Sequence, residues 1–336
     1  GMALPMLLWG SLSQRLGRKP VLLMALGLYG LGNLALPLGT TVEAFLTLRL
    51  IQGIGASGIS VMARVLIRDS FSGDLLAKAL SWISIAFVIA LGIGQYLGSL
   101  IQAAFGWEAI FQGLGAVSLV MAAAVSRARF PVLVNASNGQ SAWGIYGQIL
   151  RQRAFLLPAL AGGLGYGVIV AFNTAAPLIL QESFHWSPIE YGLLGWPVSA
   201  AYLLGALAVN AFVLRTGQRR MMGWGIALVL GGSATMLAGS LTLDSIALLF
   251  WLPYCFAVFG QSLIYPISLS LANEGSPVAG AYAMALSGFL HQLMASMIGA
   301  MASLLLSQQA WPLAALCALL GTAAMLCVRC VPPRVA

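Results

Sequence analysis

Arg49 lies six residues after Glu43, inside the stretch 42–64 that is otherwise almost wholly apolar. On a helix that spacing is about 9 Å at 1.5 Å per residue. A guanidinium in an apolar medium costs at least ~2.5 kcal/mol unless it meets water or a partner. Arg49 is therefore a candidate for binding a polar or charged group, and its alternative is to snorkel outward and pair with Glu43. Gln52 stands one helical turn on and shares its face. Further polar groups set in apolar stretches are Asn33, Gln95, Tyr166, Asn173, Gln261, Tyr265 and the adjacent His291 and Gln292, with Phe172 and Trp196 as candidate apolar walls. Their chemistry is hydrogen bonding and charge binding. Catalysis is a poor fit, because eight acids and two histidines form no metal-spaced cluster and no nucleophile–base set, and His185 and His291 fall on different segments. Cys327 and Cys330 have redox or metal spacing, but no second pair or histidine supports them, so neither a metal nor a cofactor is expected.

The elements that must carry these side chains are membrane spans. Charged residues make up 7% of the chain and apolar ones 60%, against roughly 25% and 45–50% in soluble proteins. A span needs about 20 apolar residues. The uncharged stretches 20–42, 79–107, 109–126, 154–181, 191–214, 221–243 and 245–273 approach or exceed that, and 275–328 holds two more. The stretch 42–64 is another, and residues 1–14 supply half of one. Fifteen of the sixteen Lys and Arg residues occupy every second break, with Arg49 the exception, while the breaks between hold acids, His185 and neutral residues. Because basic loops stay in the cytoplasm, this alternation predicts both the number of crossings and their orientation. The net charge of +8 is thus a topological signal, and nucleic acid is not an expected partner.

The chain is predicted to fall into two membrane halves, 1–127 and 154–336, joined by a cytoplasmic linker at 128–153 in which Asn, Ser, Gly and Gln crowd positions 135–141. Five spans precede the linker and six follow it. An internal echo relates the halves: Arg15-Leu16-Gly17-Arg18-Lys19 recurs as Arg215-Thr216-Gly217-Gln218-Arg219-Arg220, with Arg and Gly both offset by 200 residues. The counterpart of span 154–182 would precede Gly1. The expectation is therefore an all-α bundle with about 11 of 12 helices, the first missing and the second partial.

Gly10 to Pro20, GSLSQRLGRKP, resembles the signature G-x-L-a-D-r-x-G-r-k between the second and third helices of the major facilitator superfamily. Gly10 would permit close helix approach, Gly17 a tight turn, and Arg15, Arg18 and Lys19 an anchor at the anionic cytoplasmic face. Gln14 stands where the family has an Asp that latches the halves together. Gln14 remains able to hydrogen-bond the start of the helix that Ser276-Pro277 signals by cap and first-turn proline. Leu48 to Gly58, LRLIQGIGASG, resembles the helix-four signature R-x-x-Q-G, and Gly92 to Ser99 resembles a weakened antiporter signature with Gln95 in place of Pro. Arg64-Val65-Leu66-Ile67-Arg68-Asp69, followed by Gly106 to Phe111, is similar to the drug:proton antiporter branch, bicyclomycin-resistance type.

The resemblance implies a monomeric, multi-pass protein of a bacterial inner membrane, exporting amphipathic organic compounds by alternating access in exchange for protons. The polar groups above would line its transport cavity, and Gly10, Gln14, Arg15, Gly17, Arg18 and Lys19 would form the cytoplasmic gating motif. A coupling carboxylate is expected on the absent first helix, with His291 as the reserve titrating group. The altered Gln14 and Gln95 positions leave open a facilitator or uniporter of a small solute, and the missing helix leaves open an inactive remnant.

Overall fold

Long apolar runs whose polar breaks carry glycine or charge give helices throughout. The computed structural model describes residues 2–128, 141–182, 184–186, 188–242, 247–278, 280–304 and 310–330, with backbone alone for 91–96, 99, 188, 189 and 192. In chain order the helices are α1 (Ala3–Leu16), α2 (Arg18–Ala35), α3 (Val42–Ser70), α4 (Gly73–Phe105), α5 (Trp107–Arg127), α6 (Ala142–Leu150), α7 (Arg153–Glu182), α8 (Pro188–Leu193), α9 (Gly195–Thr216), α10 (Gln218–Thr242), α11 (Ala247–Glu274), α12 (Ala281–Leu304) and α13 (Trp311–Arg329). Among the described residues, ten segments are long and apolar enough to cross a membrane. At 14 residues, α1 reaches about 21 Å, short of the roughly 30 Å hydrocarbon core. No strand occurs among the described residues. The protein is a multi-pass integral membrane protein with the all-α bundle that the periodic apolar runs predict.

Helix bounds differ from the sequence expectation in two places. Arg64, placed in a break by its charge, lies inside α3 and is buried, because no Gly or Pro interrupts the chain between Gly58 and Gly73 and the helix continues. The Ser276-Pro277 signal is also overridden. The chain stays bent there, Gly280 adopts φ 118°, and α12 begins at Ala281. A positive φ favours glycine, so the turn and not the proline sets this boundary.

The helices group into two compact units. The first comprises Gly1–Ser70, Leu91–Ile149 and Pro277–Phe289, the second Phe71–Ala90, Leu150–Ser276 and Leu290–Ala336. In the first, small residues bring helices together: a Cβ on Gly58 of α3 would stand 2.7 Å from the Ala25 Cβ of α2, too close for any side chain. In the second, Phe172 stacks on Tyr254 with centroids 3.5 Å apart and near Phe250 at 5.4 Å. Phe172 is 1% exposed, so it is core and does not form the cavity wall expected of it. Its ring finds more apolar area between two aromatics than beside a polar path.

The internal echo is realised in three dimensions. Gly17 alone joins α1 to α2 at φ 89°, and Gly217 alone joins α9 to α10 at φ 79°. Both angles are in a region that side-chain-bearing residues avoid.

Candidate functional site

Polar side chains gather in three places, two within the first unit and one within the second. In the first unit, Asn33 is fully buried on α2, and its Nδ2 donates to the Tyr29 carbonyl at 2.7 Å. Its Oδ1 accepts from Gln52 Nε2 of α3, also at 2.7 Å. Gln52 Oε1 in turn accepts from Arg49 Nη1 at 3.1 Å. The Arg49 guanidinium lies over the Phe111 ring at 4.6 Å and the Phe45 ring at 5.3 Å. This chain of donors and acceptors satisfies both amides and leaves the positive charge on an exposed face of α3, held by π faces and a neutral oxygen. No ion pair joins Arg49 to Glu43 among the described residues. The order Arg49–Gln52–Asn33 thus directs a cation and keeps it uncompensated by acid, which suits it to meet a polar or anionic group.

In the second unit, α7, α11 and α12 bring Tyr166, Gln261, Tyr265 and His291 together. The Tyr166 and Tyr265 rings are 6.2 Å apart, and Tyr265 and His291 are 5.4 Å apart. Gln261 Nε2 donates to the Gly162 carbonyl at 3.2 Å. His291 is 2% exposed, and its Nε2 is 3.0 Å from the Ala159 carbonyl. A carbonyl only accepts, so this contact places the proton on Nε2. Asn173 stands exposed on α7, two turns beyond Tyr166, and Trp196 is 75% exposed at the start of α9. Gln95 lies outside the described side chains.

The basic turn forms a third assembly, in the first unit. Arg18, 4% exposed, donates from Nε to Asp69 Oδ2 at 2.8 Å and from Nη1 to the Ser13 carbonyl and hydroxyl. Arg68 Nη1 reaches the other Asp69 oxygen at 3.1 Å. Lys19 Nζ donates to the Ser126 and Ala128 carbonyls at 2.7 and 2.9 Å, closing the exposed end of α5. Gly10 faces Ala285 of α12, with the Tyr146 hydroxyl beside it. Gln14 is buried, and its Nε2 stands where a Cβ on Gly280 would be 2.9 Å away. The amide thus sits at the start of α12, its Oε1 without a hydrogen-bond partner among the described residues. Arg15 is exposed.

Several groups here escaped the sequence reading as site members. Asp69, which the sequence presents only as the last residue of the Arg64–Asp69 motif, is the hub of two ion pairs. An acid in the last turn of a helix opposes the macrodipole, so its presence there was itself a sign of a cationic partner. Glu274, last residue of α11, repeats the arrangement in the second unit: Gln218 Nε2 donates to its Oε1 at 2.9 Å. Arg18 and Gln218 occupy equivalent positions, one residue after Gly17 and Gly217. Tyr146 of α6 donates from its hydroxyl to the Leu7 carbonyl at 2.6 Å and packs edge-on against Tyr282. Burial, with Tyr282 beside it, pushes the Tyr146 phenol above its ordinary range, so it remains a donor at neutral pH. Arg64 is 6% exposed, bonds Ser60 twice, and presents Nη1 to Gly288 with no hydrogen-bond partner among the described residues.

The family profile of the Major Facilitator Superfamily matches residues 1–299. The multidrug transporter MdfA of Yersinia pestis is 28% identical over 279 residues, covering 82% of this chain and 66% of that protein. A bicyclomycin resistance protein homolog of Haemophilus influenzae is 26% identical over 328 residues, 93% of this chain and 79% of that one. The chain therefore spans just under two thirds of the length of its MdfA relatives. Among solved structures, the proton:xylose symporter XylE superposes with a TM-score of 0.78 at 14% identity, covering 98% of this chain and 84% of that one. The Escherichia coli fucose:proton symporter FucP gives 0.76 at 16% identity, covering 99% and 88%. At such identities these two likenesses bear on fold alone, while the profile spans most of the sequence and includes both the basic turn and the Arg49 segment. The chain belongs to the Major Facilitator Superfamily.

Proposed function

We propose that this protein is a secondary transporter of a bacterial inner membrane that exports amphipathic organic compounds, in exchange for protons, by alternating access. Arg49 carries the reading. A guanidinium within a spanning helix, oriented by Gln52 and by the faces of Phe111 and Phe45 and paired with no acid, is expensive to keep in a membrane. A task for the charge during transport accounts for its position. Aromatic faces beside it suit a substrate with a flat apolar part and a polar end. The names of the relatives, a multidrug transporter and a bicyclomycin resistance homolog, support drug-like cargo over sugars or other small solutes. The chemistry is solute movement and not an enzymatic reaction. We further propose that residues 1–127 and 154–336 act as the two halves of the transporter, joined by 128–153.

Exchange for protons requires a group that gains and loses a proton within the membrane. Among the described residues every Asp and Glu lies within three residues of a helix end, which leaves His291 as the interior group in this chain able to titrate. His291 lies beside the Tyr265 ring with its Nε2 at a backbone carbonyl, and in this reading its imidazole carries the exchanged proton. That same distribution of acids favours one alternative, facilitated movement of a solute without proton exchange.

Efflux of an uncharged fluorescent amphipathic compound, with a flat apolar part and a polar end, from vesicles carrying the protein under an imposed pH gradient separates the two. Export that stops when a protonophore collapses the gradient supports exchange. Export indifferent to the protonophore supports facilitation, and a rate equal to that of protein-free vesicles removes both.

A further inference from the structure

The outer surface of the second unit carries a continuous groove. Two hollows of about 450 and 340 Å³ lie end to end and share Leu228 and Phe259. Their walls are entirely apolar and run along three helices: Leu204, Ala208 and Phe212 of α9, Trp224 and Leu228 of α10, and Phe259 of α11. Leu204, Phe212 and Trp224 are 58%, 52% and 53% exposed, which in a spanning helix is a surface for hydrocarbon.

What distinguishes this groove is its end at the Gly217 turn. On α9, Arg215 lies three residues beyond Phe212, and on α10, Arg220 lies four residues before Trp224. Positions three and four apart share a helix face. Each apolar stripe therefore ends, one turn on, in an exposed arginine, and the two arginines flank the same mouth from either side of a one-residue turn. These charges fall on the side that basic loops assign to the cytoplasm, where anionic headgroups are attracted to basic sites at helix ends.

We propose that this groove is a binding site for one anionic phospholipid, its acyl chain along α9, α10 and α11 and its phosphodiester between Arg215 and Arg220. A zwitterionic lipid fits the same hollow, but its ammonium group offsets the phosphate charge that the two guanidinium groups meet. The selectivity is thus electrostatic and its free energy sums over both arginines, at about five-fold in occupancy for each, or roughly twenty-five-fold together, at low salt. The site stands apart from the transport reading and survives the failure of that reading.

Trp224 lines the groove and reports on it. The protein is reconstituted in phosphatidylcholine vesicles doped with phospholipid brominated in the upper acyl chain, with either a phosphatidylglycerol or a phosphatidylcholine headgroup. The Trp224 signal is taken as the difference between wild type and Trp224→Phe. The brominated anionic lipid is expected to half-quench that signal at roughly twenty-five-fold lower mole fraction, and the preference is expected to shrink as salt rises. Arg215→Gln with Arg220→Gln, leaving Arg219 in place, is expected to abolish the preference, and Arg215→Lys with Arg220→Lys to retain most of it. Equal half-quenching by the two lipids in wild type overturns the proposal, as does a preference that the paired Gln changes leave intact. Should the Gln variant not fold, the wild-type headgroup comparison and its salt dependence decide alone.

Discussion

Replacing Asp69 by Asn removes the one charge that Arg18 and Arg68 share. The Arg18 and Asp69 side chains are 3% and 8% exposed, so the loss is felt away from water, where breaking an ion pair by deleting one partner costs about 3–5 kcal/mol. The Asn oxygen still accepts one hydrogen bond, and Ser13 still holds Arg18 Nη1 through its carbonyl and hydroxyl. The lower end, about 3 kcal/mol, is therefore expected. Arg18→Gln should cost less, about 1–2 kcal/mol, because Asp69 keeps Arg68 and because Gln218 already bonds Glu274 at the equivalent place. With both changes the uncompensated charge disappears from the buried side, and the double variant should recover about 2 kcal/mol relative to the sum of the singles. The four proteins are compared by reversible unfolding in mixed micelles of rising dodecyl sulfate fraction, with helicity as the readout. A coupling below about 0.5 kcal/mol refutes the argument that this pair, and not each side chain alone, fastens the turn.

Arg49→Lys keeps the charge but loses the planar face over Phe111 and the fixed fork toward Gln52, so export is expected to fall about ten-fold, equivalent to roughly 1.4 kcal/mol. The amount of folded protein should not change, and wild-type export by the Lys variant would reduce Arg49 to a snorkelling cation. Gly17→Ala and Gly217→Ala each force a side chain into a region reserved for glycine and are expected to cost about 1–3 kcal/mol, with similar losses in the same unfolding assay because their geometries match. Unequal losses would count against the internal repeat. His291→Gln is expected to abolish the response of export to a pH gradient while leaving gradient-free substrate counterflow in place, and an unchanged response would move proton coupling elsewhere.

Helix positions were legible because solvent chemistry writes them plainly: a bilayer demands long apolar runs, and the cytoplasmic bias of Lys and Arg orders them. The repeat at Gly17 and Gly217 was legible too, since a one-residue turn with positive φ admits little but glycine. What the sequence hid were contacts over long separations. Nothing local announces that Arg18 will meet Asp69, or that a tyrosine in the short helix α6 will bond the Leu7 carbonyl. The polar groups divided for a related reason. Asn33, Arg49 and Gln52 joined because α2 and α3 pack through small residues, whereas Asn173, on the same chain face as Tyr166 by spacing, ended exposed. Phe172 was misjudged because an aromatic beside polar residues in sequence has no preference for them in space. Ser276-Pro277 misplaced a helix start because the Gly280 backbone lay beyond what a cap motif reports.

Proton movement coupled to substrate is the most direct test of the account. The protein is reconstituted in vesicles loaded with a pH-sensitive dye, at equal internal and external pH, and an uncharged amphipathic compound with a polar end is added outside. Exchange predicts a change of internal pH on substrate addition, saturating with substrate and absent in Arg49→Gln and His291→Gln. Substrate uptake with no pH change, unaffected by either substitution, would contradict it.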